Sequence, residues 1–348
     1  MRILINTPFL NLQGGVANHY IGLKAYWTEQ VKYNVVGKRG SKRGKGIYWL
    51  PWDILKFTFR LFTFKPDVVM VNPSLGKSAL KRDFLFLHIA HFLGYKTAVF
   101  IHGFDLEYAK QVNRQWVAHN LNRTKLIFVL AQRFKNELTD WGINAPIVLT
   151  TTKVDDRLIE NFDINSRIGE IKNILFLTRI EKSKGIYEAI KSYEILRTDF
   201  PYLTLSIVGN GRELVAVKKY VLDNHISGVR FTGSLTGHAL INEFIKGDLY
   251  LFPSYGEGMP TSVLEAMAFG LPVFTRNVGG LSDFFLNGQM GFITDSMNPE
   301  VYADAMRAYI QNPQLRVSVA LYNHTYAREH FMASQIAPSI EKQLKKIL

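Results

Sequence analysis

Short apolar runs of strand length recur along the chain, separated by longer stretches with apolar residues at helical spacing. The runs fall at residues 2–6, 34–37, 67–71, 97–101, 126–130 and 147–149. The helical stretches fall at 16–30, 52–64, 80–92, 106–121 and 133–141. Near-continuous apolar strands alternating with helices predict a doubly wound parallel sheet, covered on both faces. Residues 151–170 are polar and acidic and read as a linker. The pattern then restarts, with strands expected at 173–178, 203–208, 229–231, 249–252, 272–275 and 291–294. Helices are expected at 185–197, 299–310, 314–329 and 334–348. Two successive α/β halves predict paired Rossmann-like domains facing a central cleft, with ligands beyond the carboxyl ends of the strands. The boundaries expected are 1–160, 161–332 and a terminal helix at 333–348.

Composition narrows the class. The 348 residues suffice for two ordinary domains, and 47% of them are apolar. There is no cysteine, which excludes a disulfide framework and a thiolate metal site and fits a reducing, cytoplasmic setting. The first ten residues lack the features of a signal peptide. The nearest approach to a spanning segment, 84–93, is ten residues with two histidines, short of the roughly 18 uninterrupted apolar residues a spanning helix needs.

The net charge of +13 sits entirely in residues 1–150, which hold 21 Lys and Arg against 8 Asp and Glu; the remainder holds 21 of each. An acidic partner is therefore expected for the first half: a phospholipid face, a phosphorylated acceptor or nucleic acid. Nucleic acid is disfavoured, because no aromatic–basic platform or known motif accompanies the charge. An anionic membrane face is favoured by the aromatic-rich segment 47–65. In a helix from Trp52, Lys56 and Arg60 share one face and Lys65 lies near the end, with Lys38–Lys45 adding charge. The competing expectation is that this helix packs on the sheet and its cations are solvated.

The stretch that carries most chemistry is 253–280, PSYGEGMPTSVLEAMAFGLPVFTRNVGG. It follows the apolar strand at 249–252, turns through Gly256 and Gly258, and enters a helix near Thr261. Gly256, Gly258 and Pro260 suit a tight turn that comes close to a ligand. The helix start then offers free amides and a positive dipole end to an anion such as a nucleotide diphosphate. Glu257 lies in the loop and Glu265 in the helix. Two readings of Glu265 stand side by side, because Ser262-Val-Leu-Glu265 also spells a capping box. The string resembles the paired-glutamate signature of retaining GT-B glycosyltransferases of the family 4 type. By that resemblance Glu265 holds the donor ribose, Glu257 faces the donor sugar, and Gly258, Met259, Pro260, Thr261, Ser262 and Val263 line the donor phosphates.

Three further strings agree with the resemblance. Gly14-Gly15-Val16 follows the first strand, where paired glycines admit either a phosphate or merely a tight turn. Arg179 and Lys184 lie on a loop leaving a strand, in a segment similar to the family's diphosphate clamp, with Thr178 where a glycine is usual. Two cations there suit a departing diphosphate, and a solvated charged loop is the plain alternative. His102 ends a strand beside Gly103 and Asp105. The resemblance makes it a ligand of the donor sugar, whereas a lone histidine is otherwise structural, and Asp105 is equally well a helix N-cap.

No metal-ligand spacing is present in the sequence, and no cofactor is expected beyond the nucleotide-diphosphate sugar as donor substrate. The resemblance implies a metal-independent, retaining hexosyltransferase with His102, Glu257, Arg179 and Lys184 at the reacting centre. It also implies a terminal helix that crosses back to the first domain. The donor is expected to be a UDP- or GDP-sugar and the acceptor a glycan or lipid-linked molecule of cell-surface polysaccharide, lipopolysaccharide or glycolipid synthesis. The alternatives are a sugar-nucleotide epimerase of the same fold and, further off, a basic nucleic-acid-binding protein.

Overall fold

The computed structural model describes residues 1–11, 14–37, 46–75 and 79–348, so Gln13 and the basic segment 38–45 lie outside the described residues. The chain divides into two compact units, Met1–Lys153 with Ala333–Leu348, and Val154–Met332. Each is a Rossmann-like domain in which every strand pairing is parallel.

In the first unit the elements run β1 (Arg2–Thr7), α1 (Gly15–Leu23), β2 (Gln30–Val35), α2 (Leu50–Phe64), β3 (Val68–Val71), β4 (Ser74–Leu75), α3 (Ala79–Phe92), β5 (Lys96–Ile101) and β6 (Gly103–Phe104). They continue with α4 (Leu106–Gln111), α5 (Arg114–Leu121), β7 (Leu126–Val129), α6 (Gln132–Asp140) and β8 (Ile147–Leu149). The six-stranded sheet has the order β2-β1-β3-β5-β7-β8, and β4 pairs β6 separately. Val68, Val69, Met70 and Val71 are fully buried, as the apolar run of a central parallel strand requires. The edge strand β2 begins four residues before the expected run. Its first residues alternate between exposed and half-buried, so an apolar-run criterion misses them. The helix expected at 106–121 breaks in two, because Val112 is extended and the Asn113 side chain caps α5 by accepting from the Trp116 amide. Asp105 caps α4 in the same way, accepting from the Glu107 and Tyr108 amides.

The second unit runs β9 (Asn173–Leu177), α7 (Ile186–Asp199), β10 (Thr204–Val208), α8 (Leu214–Asp223), β11 (Val229–Gly233), α9 (Gly237–Lys246), β12 (Leu249–Phe252), α10 (Thr261–Ala268), β13 (Val273–Arg276), β14 (Gly291–Thr294), α11 (Pro299–Gln311) and α12 (Pro313–His330). Its sheet order is β11-β10-β9-β12-β13-β14. The order reverses between β9 and β12, which makes their carboxyl ends the switch point where ligands bind in such sheets. Helices α8 and α9 have no counterpart among the expected elements, although in α8 Leu214, Val217 and Val221 recur at helical spacing and pack on the core.

The segment expected to be a free linker is instead built into the second unit. The Val154 amide donates to the Phe331 carbonyl at 2.7 Å, and Asp155 and Asp163 cap two short 3-10 turns. Arg167 then spends its whole guanidinium on carbonyls that end other elements. Nε donates to Phe269 and Nη2 to Phe244, both at 2.7 Å, while Nη1 donates to Ile245 and Gly247. The planar five-donor fork of arginine suits such a cluster, and the rigid amide planes hold it there.

The last helix, α13 (Ala333–Lys345), belongs to the first unit. Its Glu341 Oε1 accepts from the Thr28 and Glu29 amides, each at 2.9 Å, and Oε2 accepts from the Thr28 hydroxyl. Lys345 pairs with Glu29. A carboxylate 2% exposed is thus matched by three donors, as buried charge requires.

Replacing Arg167 by Met strands four carbonyls and should lower the stability of the second unit by about 3 kcal/mol. Arg167→Lys should recover less than half of that, since one ammonium cannot span the four acceptors. Urea denaturation measures both; an unchanged midpoint for Arg167→Met would return the segment to the status of a loose tether.

Candidate functional site

The loops that leave β9, β10, β12 and β13 are pressed backbone against backbone. Gly185 has φ +74°, and a Cβ there would lie 2.1 Å from the Pro253 carbonyl oxygen. A Cβ on Gly211 would meet the Ile180 carbonyl at 2.1 Å, and one on Gly279 (φ +59°) the Gly258 carbonyl at 2.1 Å. Hydrogen bonds lock the same contacts. The Tyr255 amide donates to Ser183 at 2.9 Å, Ile180 to Asn210 at 3.0 Å, and Gly280 to Gly258 at 2.8 Å. Only glycine permits approach this close.

This packing brings Lys184 and Glu257 together. Lys184 Nζ lies 2.6 Å from Glu257 Oε1, with side-chain exposures of 12% and 15%. Ser254 Oγ donates to the same oxygen at 2.8 Å. Lys184, for which a solvated loop is the plain alternative, is thus held at the switch point, and its partner is the loop glutamate. Arg179, by contrast, is 57% exposed and its partner is Glu181 at 3.5 Å. It is free to turn towards a ligand in a way that Lys184 is not.

Helix α10 starts at Thr261 with Pro260 as its N-cap residue and no side-chain cap. The capping-box reading fails here. Ser262 is the second residue inside the helix, with its hydroxyl beside that of Tyr250. Glu265 is buried, 6% exposed, in the body of the helix. Pro260 has no side-chain group that could accept from the first-turn amides. Gly258 gives its carbonyl to Gly280, and Met259 and Val263 are buried.

Two residues of this site escaped the sequence reading. Ser254 is the first residue after Pro253, and its serine-after-strand position was the available signal. Tyr250 gives no signal, being one of four apolar-looking strand residues. It is fully buried, donates to the Leu177 carbonyl at 2.9 Å, and sits near both Glu265 and Glu257. Burial, then the two carboxylates, push its hydroxyl well above the usual phenol range, with Ser262 opposing.

In the first unit the polar groups gather at the carboxyl ends of β1, β3 and β5. Asn72 Oδ1 accepts from Tyr20 Oη at 2.5 Å and lies 3.1 Å from His102 Nε2; Asn72 Nδ2 donates to the Asn6 carbonyl at 2.6 Å. An amide oxygen only accepts, so the network assigns the His102 proton to Nε2. Phe100 stacks on the imidazole at 3.9 Å and His19 meets it edge-on at 4.9 Å. Burial pushes His102 down to about 3. It is therefore a neutral hydrogen-bonding group at physiological pH, not a charge. His19 is also driven well down, first by burial and then by His102 and Lys153 beside it, where a second proton would be repelled. Gly14 and Gly15 stand at the start of α1, which has no side-chain cap. A Cβ on either would meet nothing within 4 Å, so packing within the protein does not demand glycine there. Among the described residues no cluster of His, Cys, Asp or Glu could hold a metal ion.

The family described as glycosyl transferases group 1 matches residues 159–325, the stretch that contains the Lys184–Glu257 pair and α10. The second unit is a group 1 glycosyltransferase domain. This glycosyltransferase domain carries the similarity to curated proteins as well. Glycogen synthase of Mycobacterium tuberculosis is 30% identical over 145 residues, 40% of this chain and 34% of that protein. The putative teichuronic acid biosynthesis glycosyltransferase TuaC of Bacillus subtilis is 26% identical over 188 residues, 53% of this chain and 46% of that one. The chain thus aligns with about a third to a half of the length of these relatives. Solved structures extend the fold to both units. Sucrose-phosphate synthase from Thermosynechococcus elongatus superposes with a TM-score of 0.79 at 16% identity, covering 99% of this chain and 98% of that one. Anabaena HepE in complex with UDP-glucose gives 0.75 at 14%, covering 99% and 100%. The architecture around the glycosyltransferase domain is therefore GT-B.

The His102 pKa lies below its unfolded value of about 6.5, so its contribution to stability is present above that pH and is lost as pH falls through the window towards 3. Between pH 6.5 and 5 it should cost up to about 1.4 kcal/mol per pH unit. His102→Gln should flatten that slope in denaturant titrations at a series of pH values. An equal slope in the variant would mean that His102 is protonated in the native state.

Proposed function

We propose that the chain transfers a sugar from a nucleotide-diphosphate sugar, with UDP-sugars first among the donors, to a glycan or lipid-linked acceptor. The reading further holds that transfer retains the anomeric configuration and needs no metal. The observation that carries it is the Lys184–Glu257 pair at the sheet's switch point, beside the uncapped start of α10. The family match and the neighbour in complex with UDP-glucose support the donor class, and the teichuronic acid relative supports a cell-surface glycan as acceptor class.

In this reading the bond between the anomeric carbon and the diphosphate oxygen breaks, and its electron pair leaves with the diphosphate. The acceptor hydroxyl forms the new bond to the anomeric carbon and gives its proton to the leaving phosphate. Lys184 is the fixed cation and Arg179 the mobile one for the charge that develops on the diphosphate. The α10 amides of Thr261 and Ser262, with the Gly258-Met259-Pro260 turn, add donors that need no reorganisation, whereas the Val263 amide is spent on the Pro260 carbonyl at 3.0 Å. Glu257 has two duties, holding Lys184 Nζ and accepting from a sugar hydroxyl. Glu265 takes the ribose hydroxyls. In the first unit, the neutral His102 and the Gly14–Gly15 amides are the candidates for sugar and phosphate contacts.

A thermal-shift panel of UDP-, GDP- and ADP-sugars tests the donor class, since a ligand bound only by the folded state raises its stability by about 2.7 kcal/mol at a hundredfold excess over Kd. No shift with any of the three would remove the reading. Glu265→Gln should weaken the responsive donor by about 1–3 kcal/mol while the unliganded melting point moves little. Lys184→Gln, which keeps a hydrogen bond to Glu257 but removes the charge, should lower turnover about 100-fold with donor and acceptor saturating. Undiminished turnover would take Lys184 out of the reaction.

A further inference from the structure

Helix α2 is apolar on two opposite faces. At about 100° per residue, Phe57 and Leu61 point one way with Asp53, and all three are buried. Trp52, Leu55, Phe59 and Phe62 fall within a sector of about 80° on the other side. They are 56%, 64%, 66% and 58% exposed, and Tyr48, in the turn that leads into the helix, is 77% exposed. A single exposed leucine needs no explanation, but five large apolar side chains in one row do. Asp53 is the only carboxylate in residues 46–65, and it is turned inward, accepting from the Gly37 amide at 2.7 Å. The exposed face therefore carries no negative charge.

The cations divide between the two faces. Arg60, expected to face the lipid together with Lys56, turns instead to β2. It is half-buried and donates to the Tyr33 carbonyl and to Asn34 Oδ1, and burial lowers its pKa. Lys56 flanks the exposed row, and Lys65 is exposed at the carboxyl end in a left-handed conformation with φ +47°. Around them, the unit that carries α2 holds 25 Lys and Arg against 9 Asp and Glu, a balance of +16, whereas the other unit holds 17 against 20.

We infer that the exposed face of α2 is a seat for an anionic lipid bilayer, with the Trp52–Phe62 row lying in the headgroup layer and the positive unit facing the lipid phosphates. Tryptophan and phenylalanine in a row beside lysines is the chemistry of a helix that lies in the interface plane. The helix is too short and too polar on its flanks to cross; no helix among the described residues is long and apolar enough to do so. Charge decides between the two simplest partners. A second copy would set one strongly positive unit against another, whereas an anionic surface is attracted to it.

The test is flotation of the full chain with phosphatidylcholine vesicles, with and without phosphatidylglycerol, at low and high salt. Binding is expected only with phosphatidylglycerol at low salt, and part of it should survive high salt because the row is apolar. Phe59→Gln with Phe62→Gln should lower the bound-to-free ratio about tenfold, with the circular dichroism spectrum and any donor-induced thermal shift unchanged. Should that double variant fail to fold, brominated lipid gives a second measure. It should quench the parent's tryptophan emission and quench the Trp52→Phe protein distinctly less. Three results would each overturn the inference. The first is no flotation with anionic vesicles at low salt. The second is equal flotation, or equal quenching, of parent and variant. The third is a dimer in light scattering that the double variant dissolves while the parent ignores vesicles.

Discussion

Backbone pressed against backbone is the constraint on which the second unit's chemistry rests. Four loops leave neighbouring parallel strands, and at Gly185, Gly211 and Gly279 a carbonyl of another loop occupies the space a Cβ would need. Such contacts have no slack, because a peptide plane cannot rotate away as a long side chain can. The position of the Lys184 ammonium is therefore inherited from the path of two loops, not chosen by a flexible stem. Glu257 and Ser254 complete the arrangement by fixing the far end of that stem.

The two units hold their polar groups on different terms. At the switch point of the second sheet a charged pair is kept nearly dry, which is tolerable because lysine, glutamate and serine satisfy one another. In the first unit the cluster around Asn72 contains tyrosine, asparagines and a histidine that burial keeps neutral. The second unit thus keeps a compensated ion pair, and the first a set of directional neutral hydrogen bonds.

Much of this was legible in the sequence. The central strands were plain because a strand buried on both faces spells itself as a run of Val, Ile, Leu and Phe. The glycine turns and the acidic and basic residues beside them marked the loops at the second sheet's carboxyl ends. What stayed hidden has physical causes. The amphipathic edge strand β2 lacks a run. Tyr250 looks like any other core aromatic until its hydroxyl is located. Arg167, in a stretch polar enough to pass for a tether, binds carbonyls that belong to residues some 80–100 positions away, which no local pattern reports. The capping-box reading of Glu265 could be set aside only by seeing that Ser262 lies inside the helix.

The Glu341 carboxylate joins Thr28 and Glu29 across 313 and 312 positions of sequence. The second unit is one uninterrupted stretch, while the first needs residues from both ends of the chain. On the ribosome the order of completion is therefore the reverse of the order of synthesis. The middle of the chain can close while the opening half still waits for its last helix, its Thr28 and Glu29 amides answered by water. Loop closure over such a distance is slow to repay its entropy. The face of α1 against which α13 packs therefore stays open on the nascent chain until α13 has been made.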